Sequence, residues 1–219
     1  MTEINSAAPQ IIGIVVGIAA EAKSANRLSP NILCSGGRPD IAANQAHTLI
    51  QTGATTLMSF GIAGGLSSTL RPGSLVVADQ VITEYDRYPA LSACASMIRA
   101  HVGPIYGSWT IVATPEEKRA LRKRTGALAV DMESGAVARV AMEAGIPFIA
   151  LRAIADPVTH GLPPAALLPL DEKGRPNLPA VFWSVLMGPG QIPALIRTGN
   201  ETRKALKRLR GAAFRLSSR

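Results

Sequence analysis

The chain has 219 residues, 47% of them hydrophobic, and a formal net charge of +8. That is enough apolar material for one packed domain and excludes a disordered chain, while an aromatic share of 4% leaves the core to Ala, Val, Ile and Leu. The charge argues against a fold that reads nucleic acid, because residues 197–219 hold eight of the Lys and Arg residues against Glu201 alone, and the body before them is close to neutral.

Residues 1–10 read as a loose lead-in. The first apolar run has no positively charged stretch ahead of it, so it is taken as a strand and not as a signal peptide. Ile11–Ile18 has the β-branched, apolar character of a buried strand. Asn31–Cys34 predicts a short strand that empties into the loop Ser35-Gly36-Gly37-Arg38-Pro39, and Asp40–Thr52 a helix ended by Gly53. Thr55–Phe60 predicts a third strand running into a glycine loop, Gly61-Ile62-Ala63-Gly64-Gly65, and Ser74–Ile82 a fourth after the turn Arg71-Pro72-Gly73. Thr114-Pro115-Glu116-Glu117 has the signature of a helix start, with a Thr cap, proline in the first turn and Glu three residues after the cap. Leu128–Val130 is a short strand, Ser134–Glu143 a helix and Ile146–Ile154 a buried strand. Strands alternating with helices imply a mostly parallel sheet covered on both faces.

Cys34 and Cys94 make neither a disulfide framework nor a metal motif and read as reduced small hydrophobes of a cytoplasmic protein. His47, His101 and His160 show no metal-ligand spacing, and no metal is expected; His160, close after Asp156, is a lesser candidate for the site. No segment reaches the roughly 18 uninterrupted apolar residues of a spanning helix. The stretch Ala180–Leu195 is broken by Gly188-Pro189-Gly190.

Ligands of open α/β sheets bind beyond the carboxyl ends of the strands. Three features fall at such ends. Glycines at Gly36 and Gly37, beside Arg38, and at Gly61, Gly64 and Gly65 let backbone N–H groups approach an anion. Glu133 lies where a strand ends and a helix begins, a place that also suits a simple dipole-stabilising carboxylate. Asp156 is delivered by an apolar strand just before Pro157, where an Asp can equally cap a turn. Arg152, inside that strand, is expected to pair with a carboxylate.

Phe60-Gly61-Ile62-Ala63-Gly64-Gly65-Leu66, Arg71-Pro72-Gly73-Ser74-Leu75-Val76-Val77-Ala78-Asp79, Val130-Asp131-Met132-Glu133 and Pro147-Phe148 through Asp156 resemble the purine nucleoside phosphorylase and methylthioadenosine/S-adenosylhomocysteine nucleosidase superfamily. Within it the chain is most similar to the hopanoid-associated phosphorylases, through Ser35-Gly36-Gly37-Arg38-Pro39 and Thr125-Gly126-Ala127-Leu128-Ala129-Val130-Asp131-Met132-Glu133-Ser134. The resemblance implies a three-layer α/β fold with a central mixed, mostly parallel twisted sheet, and cleavage of the N-glycosidic bond of a 5′-substituted adenosine with release of adenine. It assigns Asp156 as the acid that protonates the leaving purine at N7, Glu133 as the holder of the ribose hydroxyls and Met132 as the residue packed on the sugar. Ala63 and Gly64 join the substrate set, and Gly36, Gly37, Arg38 and Gly61 the phosphate set. No cofactor is implied beyond inorganic phosphate as co-substrate. Adenosylhopane is the specific substrate expected, and a homo-oligomer completing its site from a neighbouring subunit is the expected assembly.

Two departures bear on the nucleophile. The hydrolytic branch carries a base-acting glutamate just after its first strand, and Ala22 aligns there, which favours phosphate over activated water. Glu21 stands next to it, and a one-residue shift of the alignment restores the base. Ile62 offers no hydroxyl where several phosphorylases use Ser or Thr, leaving Arg38, Lys23 and Arg27 as the available cations. The segment between Asp79 and Asp131 is short and shows no evident purine-stacking aromatic, which implies an open pocket. The alternatives are a hydrolytic methylthioadenosine/S-adenosylhomocysteine nucleosidase and a catalytically silent nucleoside-binding module.

Residues 1–196 are read as one domain and 197–219 as a basic tail, with Asn200 capping a helix from Glu201. Leu206, Leu209, Ala213 and Leu216 recur on one stripe among the cations. Such a helix either lies on an anionic membrane at the inner face, where a lipid-linked nucleoside would be met, or is a solvated tail or subunit contact.

Overall fold

The computed structural model describes residues 10–168, 171 and 174–218, so the expected lead-in lies almost wholly outside the described residues. The first half runs β1 (Ile12–Val16), α1 (Ala19–Ala25), β2 (Ile32–Cys34), α2 (Pro39–Gln51) and a long β3 (Thr56–Gly65). Short elements follow: β4 (Leu75–Val77), β5 (Gln80–Ile82), β6 (Arg87–Pro89), α3 (Ala95–Ile98), β7 (His101–Val102) and β8 (Ile105–Gly107). Then come α4 (Pro115–Thr125), β9 (Ala129–Asp131), α5 (Ser134–Glu143) and β10 (Phe148–Asp156). A 3-10 turn at Pro164–Leu167 leads to α6 (Leu178–Met187) and the terminal α7 (Ile192–Ser217).

The strands form one sheet in the order β6-β5-β8-β9-β3-β10-β4-β7, with β1 and β2 branching from β3. β1, β3 and β10 pair in parallel at its centre, while β3–β9, β10–β4 and β5–β6 are antiparallel. The mixed, mostly parallel sheet is the one expected. Side chains alternate along β10: Phe148, Ala150 and Ile154 join the apolar cluster under α2 and α5, while Leu151, Ala153 and Ala155 join the one under α3 and α7. Helices on both faces make the fold three-layered.

Local chemistry explains the helix ends that were legible. Thr114 Oγ1 accepts from the Glu117 N–H, and Glu117 Oε2 accepts from the Thr114 N–H, closing a reciprocal cap at the start of α4. Gly126 stops α4 with φ of 71°.

Three expectations are corrected. The glycine loop after Phe60 is strand: Gly61–Gly64 pair with Arg152–Asp156 of β10, and Gly64–Gly65 with β9. Glycines there admit neighbouring side chains at close range instead of making a turn. Ser74–Ile82 is two strands, because β4 pairs with β10 and β7 while β5 leaves at Ala78-Asp79 to pair with β6 and β8. As far as Ser217 the basic tail is the C-terminal part of α7, whose Ala205, Leu209, Ala212 and Ala213 are buried in the core; Asn200 lies inside the helix and not at its start. The apolar stripe, for which a lipid surface, solvent and a neighbouring subunit were the alternatives, faces the protein's own sheet, and residue 197 falls within α7.

Candidate active site

A cavity of about 320 Å³ opens where β1, β3, β9 and β10 end. Its lining includes Ala63 and Gly64 of β3, Met132 and Glu133 at the start of α5, and Asp156 at the end of β10. The structure therefore gathers Asp156, Glu133, Met132, Ala63 and Gly64 on one cavity.

Asp156 is aimed by an irregularity in its strand. Ile154 pairs with Ala63 and Asp156 with Gly64, leaving Ala155 as an extra residue, and such a bulge turns the following side chain. The Asp156 carboxylate lies 2.5 Å from Lys118 Nζ on α4. Lys118 is fully buried, and its ammonium also donates to the Pro157 carbonyl at 3.2 Å and the His160 carbonyl at 2.8 Å. Three acceptors match the three donors of an ammonium. Burial raises the Asp156 pKa above the ordinary carboxylate value, against the opposing pull of Lys118.

The second acid, Glu133, sits on a network centred on Arg152. This guanidinium is fully buried and donates to Asp131 Oδ2 at 2.7 Å through Nε. Through Nη2 it donates to Ser59 Oγ at 2.5 Å and Ser134 Oγ at 3.0 Å, with Glu133 Oε2 more distant at 3.4 Å. Asp131 in turn accepts the Glu133 and Ser134 N–H groups, orienting the first turn of α5. The expectation that Arg152 serves a carboxylate agrees with this geometry.

A third carboxylate completes the site. Glu21 of α1 is 2% exposed, and its oxygens accept from the N–H groups of Gly17, Ile18 and Ile62 at 2.8, 2.9 and 2.7 Å. A side chain on Gly17 would meet Glu133 Oε1 at 2.6 Å and Glu21 Oε2 at 3.4 Å, so both acids converge on that point. A side chain on Gly61 would meet Glu21 Oε1 and Arg152 Nη1, each at 2.6 Å. Arg152 Nη1 has no hydrogen-bond partner among the described residues.

Electrostatics follow from the count of charges. Glu21, Asp131 and Glu133 surround one guanidinium in a buried setting, and burial favours a proton on the least compensated acid. The Glu133 pKa is pushed up to about 8, by burial first, against Arg152, with Asp131 and Glu21 adding repulsion. Glu21 is also shifted upward by burial, against Arg152 and its three N–H donors.

The expected phosphate set does not assemble. Gly36 and Gly37, with φ of 67° and 75°, form a turn that does not line this cavity. Arg38 lies there too and pairs with Asp40 at 2.7 Å. Gly61 is covered by Glu21 and Arg152 as described. Lys23 and Arg27 are exposed, and Arg27 stacks over Phe214. His160 is off the cavity, 3.2 Å from Glu201. Ala22 packs against the core under α3 and α7, so Glu21 is the residue that faces the cavity.

Sequence reasoning missed several contributors. Lys118 sits in a strongly charged helix and nothing in its spacing singles it out. Asp131 was quoted only as part of a motif. Thr198 and Thr202 of α7 line the cavity because the supposed tail is folded across it. Ile111 and Val112 add an apolar wall, and no aromatic ring lines the cavity among the described residues.

A family model described as the phosphorylase superfamily matches residues 24–91 and 85–173. The chain is 31% identical over 126 residues to futalosine hydrolase of Streptomyces coelicolor, a match spanning 47% of this chain and 54% of that protein. It is 29% identical over 161 residues to 5′-methylthioadenosine/S-adenosylhomocysteine nucleosidase of Baumannia cicadellinicola, spanning 59% of this chain and 70% of that protein. Among solved structures, the Helicobacter pylori 5′-methylthioadenosine/S-adenosylhomocysteine nucleosidase matches with a TM-score of 0.63 at 18% identity, over 93% of this chain and 97% of that one. The native futalosine hydrolase of the same organism matches with a TM-score of 0.61 at 18% identity, over 91% and 97%. At such identities these two establish a shared fold.

Proposed function

Since the chain belongs to the phosphorylase superfamily, we propose that it hydrolyses the N-glycosidic bond of a 5′-substituted adenosine and releases adenine. The observation that carries hydrolysis is Glu21: its carboxylate occupies the space against Gly61 where the phosphate set was expected. A phosphate there would meet the Glu21 carboxyl oxygens at close range, acceptors with no proton to share when ionised, whereas a water would find an acceptor in Glu21 and a donor in Arg152 Nη1. The named relatives, a hydrolase and a nucleosidase, support the same choice.

In this reading the bond between C1′ and the purine breaks with its electron pair moving to the base, and the Asp156 proton goes to N7. Water attacks C1′ as oxocarbenium character develops, and its proton passes to Glu21. Glu133 accepts from the ribose hydroxyls, and Met132 packs on the sugar. Raised carboxyl pKa values suit a proton donor or acceptor working near neutral pH. No cofactor is required by this chemistry.

The 5′ substituent is the finer part of the proposal. Ile111, Val112, Leu162 and Ala166 on the wall support an apolar group, from a methylthio group to the hopanyl chain of adenosylhopane. Adenine release is measured from methylthioadenosine, S-adenosylhomocysteine and adenosylhopane, with and without phosphate. The expected outcome is phosphate-independent release and a free sugar. Release that requires phosphate and yields a sugar 1-phosphate returns the phosphorolytic reading; no release from any of them returns the silent module.

A further inference from the structure

α6 has ten residues, and none of them is buried. Phe182, Trp183, Leu186 and Met187 are 68%, 63%, 58% and 75% exposed. No Asp, Glu, Lys or Arg occurs between Arg175 and Arg197. A helix that docks on a protein shows one apolar stripe and a polar remainder, but Ser184 alone interrupts the apolar surface of α6. An all-round apolar helix suits hydrocarbon. Ten residues make about 15 Å, half of a bilayer's apolar thickness, so α6 is the length for one leaflet. No single helix among the described residues is long and apolar enough to cross a membrane.

The arm is held at a set angle. α6 and the helical stretch after it are bent by 111°. Gln191 bridges the bend, accepting from the Ala165 N–H at 2.9 Å and donating to the Ser184 carbonyl at 2.8 Å. Farther along α7, Lys204, Lys207, Arg208 and Arg215 line one groove of about 380 Å³, with no acidic residue in its lining. Unopposed cations on an element continuous with an apolar arm match phosphate headgroups above acyl chains.

We propose that α6 and the basic face of α7 form a docking surface for an anionic phospholipid bilayer, with α6 set among the acyl chains and the cations on the headgroup phosphates. This inference stands apart from the reaction proposed above. It has a consequence for it: Ala166, in the turn that α6 packs against, and Thr198 and Thr202 of α7 line the catalytic cavity. The cavity therefore adjoins the docking surface, and a nucleoside with an apolar 5′ chain reaches it from the leaflet.

The test uses the full chain with vesicles of phosphatidylcholine alone or mixed with phosphatidylglycerol. Sedimentation with the mixed vesicles is expected, weakening as salt rises. Phe182→Ser, Trp183→Ser and Leu186→Ser combined should lower binding by roughly a hundredfold or more, the scale for removing three large apolar side chains from lipid. Replacing Lys204, Lys207, Arg208 and Arg215 by Gln should remove the preference for anionic vesicles. Both sets change exposed side chains, and thermal melting checks that the fold is kept. In a Trp109→Phe background, Trp183 is the one remaining tryptophan. Its emission should shift to the blue on adding vesicles and be quenched by brominated lipid. The proposal is overturned if wild type ignores anionic vesicles, or if the triple Ser variant binds as wild type does. It is equally overturned if Trp183 emission is already blue without lipid and the triple variant turns an oligomer into a monomer, since a second copy then covers α6.

Discussion

Lys118 Nζ stands 2.5 Å from Asp156 Oδ2, with no exposure of the lysine side chain and 13% of the aspartate's. An ammonium so placed favours the ionised carboxylate, while burial favours the neutral acid, and burial prevails. Lys118 is thus a positioning residue that sets how readily Asp156 holds the proton it is proposed to give. Lys118→Met should raise the Asp156 pKa further and carry the alkaline limb of kcat/KM to higher pH. It also leaves the Pro157 and His160 carbonyls without this donor, at a cost of about 1–3 kcal/mol each if they stay dry. A pH–rate profile and a thermal melt read the two effects separately, and an unmoved alkaline limb would show that Lys118 is only structural.

Asp156→Asn should lower adenine release by about 10²–10⁴-fold in kcat, the range for loss of a general acid. A riboside with a nitrophenolate leaving group needs no proton, so its hydrolysis should fall far less. Equal losses on both substrates would remove Asp156 from the acid role.

Glu21→Gln keeps the shape of the side chain but cannot take a proton from water. The expected loss in kcat is about 10²–10⁴-fold, with KM little changed and no rescue by added phosphate. Full activity in this variant would sink the hydrolytic assignment.

Stability should fall as pH rises above about 4.5, because the folded Glu133 pKa is near 8 and the folded protein binds more protons than the unfolded chain in that window. Each such group contributes a slope of up to about 1.4 kcal/mol per pH unit between its unfolded and folded pKa values. Glu133→Gln should flatten the decline and weaken ribose binding together. Denaturant unfolding at pH 5, 6.5 and 8 measures the first, and KM the second.

Arg152→Met leaves Asp131 and Glu133 without their buried cation, and breaking such a pair costs about 3–5 kcal/mol. Soluble yield and melting temperature should both drop. Replacing Asp131 by Asn as well should restore part of the stability, because one of the stranded charges is then gone.

Much of this protein was legible in its residues taken locally. The Thr114 cap, the span of α5, the parallel sheet and the arrival of Glu133 and Asp156 at strand ends follow from capping chemistry, β-branched runs and strand–helix alternation, which act over a few residues. What only tertiary structure decided depends on long-range partners. Glu21 and not Ala22 faces the cavity because the Ile62 N–H, 41 residues away, takes its carboxylate. Lys118 serves Asp156 because its side chain reaches from α4 to the end of β10, 38 residues on, and the glycines after Phe60 extend a strand with Arg152 and Glu21 filling the space beside them. The last helix joins the core because its Ala and Leu stripe finds the apolar face of β10, a match that charge composition along the chain does not reveal.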